Sequence, residues 1–383
     1  MHVRPARWVV AMALAGITGC TRSSAPPDSG VPGVPTPRAE GVVDTHLHVA
    51  PSELGRLHAL MDAQGIAWGL NLSGRWPGGP LEAQLEAARQ SGRLVVATNL
   101  PWVAAARRQD FPQIAVALLT EARSLGARAL KIEKALGLGA IKPDGTLLAV
   151  DDPWLDPVWK AAGELGLPVV IHVGDPKAFW LPIDEKNERY DELSVHPGWS
   201  NYGDPSIPSF EALLAALMRV VARHPKTTFV SVHFGNNAED PAWVGRMLDE
   251  HPNLMVDLAA RLPELGRHEV KALHALFVRH ADRILFATDL GIMPRGGIML
   301  GSTGAVPDTD ADAPLFFAKH WRWLETWDTA IDSPTPIQGR WKLNGIGLPE
   351  EALRKIYRLN AERLFGKPEP ARPASAGGAP STP

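Results

Sequence analysis

Val42-Val43-Asp44-Thr45-His46-Leu47-His48 is a short β-branched and apolar run that ends in two histidines one residue apart. On a strand, side chains alternate between faces, so His46 and His48 point the same way. Two imidazoles converging from one strand end are what a metal ion needs. Leaving two such rings buried side by side without a partner is costly, which weighs against a purely structural pair.

Other apolar runs end in the same manner. Val169-Val170-Ile171 leads into His172, Phe229-Val230-Ser231-Val232 into His233, and Ile284-Leu285-Phe286-Ala287-Thr288 into Asp289. Strand candidates lie at 42–48, 66–72, 94–99, 128–133, 168–173, 228–233, 254–258 and 283–288. Amphipathic helix candidates follow at 52–64, 80–91, 111–125, 153–165, 209–223, 240–250, 268–280 and 314–327. Gly92, Gly126 and Gly166 sit where helices should stop. Eight nearly all-apolar strands, each followed by a helix, predict an α/β fold of the (β/α)8 TIM-barrel type. An open doubly wound sheet would need a Gly-rich phosphate loop after the first strand, where Asp44-Thr45-His46 stands instead. Segments 174–208 and 289–313 exceed ordinary connections and follow strand ends, so both are expected over the catalytic face. A further helix over 349–365 is expected to pack against the barrel.

In a closed barrel, polar residues at strands one, five, six and eight aim at one volume. A single histidine after an apolar run is more often a satisfied core residue, and a single aspartate often caps a loop. The joint placement raises His46, His48, His172, His233 and Asp289 together. Three histidines and an aspartate suit a divalent ion and leave room for a water, whose pKa such an ion lowers.

The chain has 383 residues, 45% hydrophobic and 21% charged, with a formal net charge of −3. This balance offers no electrostatic case for nucleic acid. The one cysteine, Cys20, closes Ile17-Thr18-Gly19-Cys20 after a basic start (Arg4, Arg7) and the short apolar run Trp8 to Ala15. That pattern resembles a bacterial lipobox, which implies lipidation at Cys20 and a place in the cell envelope. Residues 1–20 then form a lipoprotein signal peptide, 21–40 a flexible linker, 41–366 the barrel and 367–383 a disordered tail. A mature chain without thiols must build any metal site from His, Asp, Glu or Lys.

Asp-Thr-His-Leu-His, His172, His233, Thr288-Asp289 and the closing Asn360-Ala361-Glu362-Arg363-Leu364-Phe365-Gly366 together resemble the amidohydrolase superfamily. The likeness is to its branch containing aminocarboxymuconate-semialdehyde decarboxylase. It runs over residues 42–366 and is specific for the superfamily, far less so for the reaction. It implies one divalent ion, zinc or alternatively manganese, on His46, His48, His172 and Asp289. It also implies that His233 orients substrate or water, and that Asp289 takes the proton of the attacking water and passes it to the leaving group. Lys131 matches the strand-four lysine that bridges two metals in binuclear relatives, which makes it a possible second-metal ligand; pairing with Glu133 is its alternative role. Arg189 and Arg261 could clamp a substrate carboxylate or form loop salt bridges. Trp180, with Phe179, Tyr190 and Trp199, could wall a planar substrate or pack the lid to itself.

The expected activity is hydrolysis of a small amide, ester or lactone. A nonoxidative decarboxylase with the same metal site is the rival, and a catalytically silent envelope binding protein is the reading from another class. Expected partners are a small-molecule substrate, the membrane through the lipid anchor and, as an option the sequence leaves open, a second copy of the chain in a homodimer.

Overall fold

The computed structural model describes residues 36–294 and 297–371. Cys20, the segment read as a signal peptide, most of the segment read as a linker and most of the expected tail lie outside the described residues. No helix among the described residues is long and apolar enough to cross a membrane.

The eight predicted strands form, with small shifts at their ends. They are β1 (Val42–Val49), β2 (Ile66–Asn71), β3 (Leu94–Thr98), β4 (Ala129–Ile132), β5 (Val169–Ile171), β6 (Phe229–Ser231), β7 (Leu254–Asp257) and β8 (Ile284–Leu285). Each is followed by its helix: α1 (Leu54–Gln64), α2 (Leu81–Ser91), α3 (Phe111–Leu125), α4 (Asp156–Glu164), α5 (Phe210–Arg223), α6 (Pro241–Glu250), α7 (Val270–Arg279) and α8 (Ala313–Glu325). Neighbouring strands run parallel from β1 through β8.

The ring closes through a broken eighth strand. β8 pairs with β7, while a continuation, β9 (Leu290–Ile292), pairs in parallel with β1. Between the two halves Asp289 takes φ +63°, a left-handed conformation uncommon for aspartate. Thr45 donates to the Phe286 carbonyl from its backbone nitrogen at 3.1 Å and from its hydroxyl at 2.9 Å. The result is a (β/α)8 barrel, extended at one edge by the antiparallel β10 (Ile298–Leu300).

Both strand faces are buried, which explains the near-continuous apolar runs. One face packs on the helices. The other fills the barrel with Val43, Leu70, Val95, Val170, Val230, Met255 and Leu285, closed off by Ala361 and Phe365 of the C-terminal helix. Asn360 in that helix donates to the carbonyls of Ala281 (2.7 Å) and Ile284 (2.8 Å), at the start of β8. The terminal Asn-Ala-Glu-Arg-Leu-Phe motif is therefore the plug of the barrel floor.

The folded part begins before residue 41. Thr36–Ala39 forms a helical turn, Arg38 pairs with Glu325 at 3.1 Å and Glu40 with Arg354 at 3.1 Å. The end of the segment read as linker is thus tied down by two ion pairs that composition alone did not reveal.

Candidate metal centre and active site

The pleat of β1 is interrupted between Asp44 and Leu47 by a register shift. Val43 faces the barrel interior, whereas Leu47 lies in the layer between strands and helices. Such an irregularity re-aims side chains, and here it turns His46 and His48 toward the barrel mouth. Across the seam, the break at Asp289 brings its carboxylate to them. Asp289 Oδ1 lies 3.4 Å from His46 Nε2 and 3.4 Å from His48 Nε2. The three donor atoms all lie within 4.8 Å of one another.

These residues fit a divalent ion. A spacing near 3.4 Å is about the edge of a tetrahedron whose ligands stand ~2.1 Å from its centre. Each imidazole is held from behind by its other nitrogen: His46 Nδ1 by Asp257 at 2.9 Å, His48 Nδ1 by Ser73 Oγ at 2.8 Å. This leaves both Nε2 atoms for the ion. Burial, followed by the charge of Lys131, holds His46 below its ordinary pKa, in the neutral form a metal needs. Burial pushes the Asp289 carboxyl up, but His46 and His48 outweigh it and leave it ionised, below the usual carboxylate range.

Three of the four expected ligands are therefore gathered, and His172 stands beside them. The turn after β5 places the Gly174 carbonyl 2.9 Å from His172 Nε2, so that nitrogen is occupied. Its ring packs edge-on against His233, with centroids 4.5 Å apart. His233 sits on a tight turn at φ +55°, with its ring 5.2 Å from that of His46. Its Nδ1 donates to the Ala259 carbonyl at 2.8 Å, which leaves Nε2 as an acceptor. Burial, then Arg261 and the neighbouring imidazoles, holds His233 well below its ordinary pKa.

Lys131 is buried inside the barrel. Burial lowers its pKa, against the pull of Asp257 and Asp289. It does not pair with Glu133, which faces outward to Arg75 at 3.6 Å and Asn99 at 3.3 Å.

A cavity of about 140 Å³ opens beside the cluster, bounded by His172, His233, Asp289, Arg261, Phe179 and Trp199. It is small beside the ~300–1,000 Å³ usual for ligand sites. The two long loops meet over it. Trp199 covers the Lys134 ammonium at 5.8 Å, and Lys134 pairs with Asp175 at 2.8 Å. His196 stacks on Trp199 at 3.9 Å and bonds the Thr303 carbonyl at 2.8 Å, joining one loop to the other.

The two arginines part ways. Arg189 is fully buried and spent on Glu192 (2.7 Å) and Glu264; it pins the first loop to the barrel and is not a free carboxylate clamp. Arg261 is 6% exposed, donates only to the adjacent Ala260 carbonyl at 2.7 Å, and has no ion pair among the described residues. Trp180 is not among the residues that line this cavity. Its Nε1 donates to the Pro208 carbonyl at 2.9 Å and its ring packs on Phe210 of α5, so it ties the loop to its own end and to that helix, while Phe179 and Trp199 wall the cavity.

Asp257 and Ser73 escaped the sequence reading. Asp257 carries the same signal as the residues that were found, an acid closing the apolar run Leu254-Met255-Val256. Ser73 has no signal beyond following β2.

The amidohydrolase family model matches residues 43–367. The chain belongs to the amidohydrolase family. The chain is similar in structure to a TIM-barrel protein of Bordetella bronchiseptica, at 17% identity and TM-score 0.49, covering 85% of this chain and 99% of that one. It is also similar to the 2,6-dihydroxybenzoate decarboxylase from Rhizobium, at 19% identity and TM-score 0.45, covering 85% and 98%. A third is a dihydroxybenzoic acid decarboxylase from Polaromonas with bound manganese and 2-nitroresorcinol, at 15% identity and TM-score 0.46, covering 85% and 96%. No curated protein sequence matches the chain. Membership of this family makes the chain an enzyme, and the His-His-Asp cluster points to a divalent metal.

Proposed function

We propose that this member of the amidohydrolase family hydrolyses a small anionic ester, lactone or amide with one divalent ion, zinc or alternatively manganese, held by His46, His48 and Asp289. The observation that carries this reading is the donor cluster beside a cavity that also holds an unpaired arginine. Bound there, the ion supplies Lewis-acid polarisation of a carbonyl and lowers the pKa of water toward neutrality.

The chain's own groups do the rest. Arg261 presents N–H donors to a substrate carboxylate, and a buried cation without an ion pair among the described residues gains from such a partner. Phe179 and Trp199 flank the substrate and exclude water. Asp289 Oδ1 faces the two imidazoles, and Oδ2 is left to accept a proton from water and return it to the leaving group. His233 Nε2, a neutral acceptor, orients the water or the substrate hydroxyl. One ion suffices for these roles, and Lys131 then stays a buried amine.

Decarboxylation is the second reading. The unpaired Arg261 between aromatic walls also suits a planar aromatic acid, whose carbon–carbon cleavage consumes no water. Turnover of carboxylate-bearing aryl esters, lactones and hydroxybenzoates in ¹⁸O-labelled water tests the choice. Hydrolysis places solvent oxygen in the product. Release of carbon dioxide from a hydroxybenzoate without label in the organic product establishes decarboxylation and overturns the hydrolase reading.

A further inference from the structure

We infer that Asp257 is the positioning residue of the metal centre, setting the tautomer of His46 with one oxygen and the seat of His233 with the other. The inference rests on the reading of His46 as a ligand.

Asp257 ends β7 and is 0% exposed. Its Oδ2 lies 2.9 Å from His46 Nδ1. A carboxylate only accepts, so Nδ1 must carry the proton and Nε2 the lone pair. That lone pair faces Asp289 Oδ1 at 3.4 Å. Asp257 Oδ1 accepts from the backbone nitrogens of His233 at 2.7 Å and Ala259 at 3.2 Å. The first of these belongs to the turn in which His233 and Phe234 take φ +55° and +52°. Such strain persists only where surrounding contacts hold it. The same turn closes from the other side, where His233 Nδ1 donates to the Ala259 carbonyl. One carboxylate therefore registers β1, β6 and β7 against each other at the mouth.

The Asp257→Asn variant separates positioning from simple structural support. Its amide oxygen can still accept from the two backbone nitrogens. Its amide nitrogen then faces His46 Nδ1 as a donor, which drives the ring proton to Nε2, where it blocks the ligand position.

The test is long-range ¹H–¹⁵N NMR of the metal-free full chain, combined with Zn²⁺ affinity by chelator competition. The wild type is expected to show His46 as the Nδ1–H tautomer. Asp257→Asn is expected to show the Nε2–H tautomer, with Zn²⁺ affinity lowered about 10–100-fold and an unchanged melting profile. A wild-type His46 in the Nε2–H form overturns the inference, whether or not the variant folds. So does a folded variant with wild-type affinity. A wild type that shows the Nδ1–H tautomer yet binds no ion refutes the metal reading alone and supports the positioning role.

Discussion

Asp44 and Thr288 face each other across the barrel seam, where the Asp44 carboxylate accepts the Thr288 backbone nitrogen at 3.2 Å and its hydroxyl at 2.5 Å. The same carboxylate also takes the His46 backbone nitrogen at 3.1 Å. Burial pushes its pKa up to about 7, against the pull of these hydrogen bonds. The contact stands in for ladder bonds where β1 bulges and the eighth strand breaks. Hydrogen bonds to a charged group contribute ~1.5–3 kcal/mol. Asp44→Ala is therefore expected to lower unfolding free energy by about 3 kcal/mol in urea titration. A loss under half a kcal/mol would show that the seam is held elsewhere.

Arg189 offers a different kind of stability test. Glu192 and Glu264 both depend on it, and all three are buried. Removing one member of such a group costs ~3–5 kcal/mol because uncompensated charge remains. Arg189→Met should lose that amount, and adding Glu264→Leu should recover part of it. A substrate clamp would behave otherwise: Arg189→Met would raise KM and leave the melting temperature alone.

For Arg261 the expectation reverses. Its charge has no ion-pair partner in the described structure, so Arg261→Met should match or exceed wild-type stability. Binding of a carboxylate probe such as benzoate, followed by equilibrium titration, should weaken about 10–100-fold, the worth of a charge-assisted hydrogen bond. Equal benzoate affinity in the two proteins rules out the anchoring role.

His320 supplies the pH dependence. It is buried far along α8, where Nδ1 donates to the Phe316 carbonyl at 2.8 Å, and burial pushes its pKa down to about 4. The unfolded chain titrates near 6.5. Unfolding thus takes up a proton between those values. The stability it contributes is complete above pH ~6.5 and is lost as pH falls through about 4, a change of about 3 kcal/mol. His320→Met should lack this slope in denaturation curves measured from pH 7 to 4. Parallel curves for the two proteins would contradict the assignment.

The barrel was legible because strands buried on both faces read as apolar runs and helices stop at glycine. His46, His48 and Asp289 were legible because the end of a barrel strand is a fixed address. What lay hidden was set by local backbone geometry. The bulge after Asp44 and the left-handed turn at Asp289 leave no compositional trace, nor does the Gly174 carbonyl that engages His172. Partner choice was equally hidden. Arg189 and Arg261 look alike in sequence, and only the fold sets two glutamates in ion-pair contact with Arg189 while Arg261 feels Glu264 from beyond that range.

The central claim is a single divalent ion on His46, His48 and Asp289. Metal analysis of the purified protein, beside its folded Asp289→Asn variant, tests it most directly. The account predicts one tightly bound ion per wild-type chain and its loss in the variant. A wild-type chain that neither carries nor takes up zinc or manganese, or a variant that keeps the ion, would contradict it.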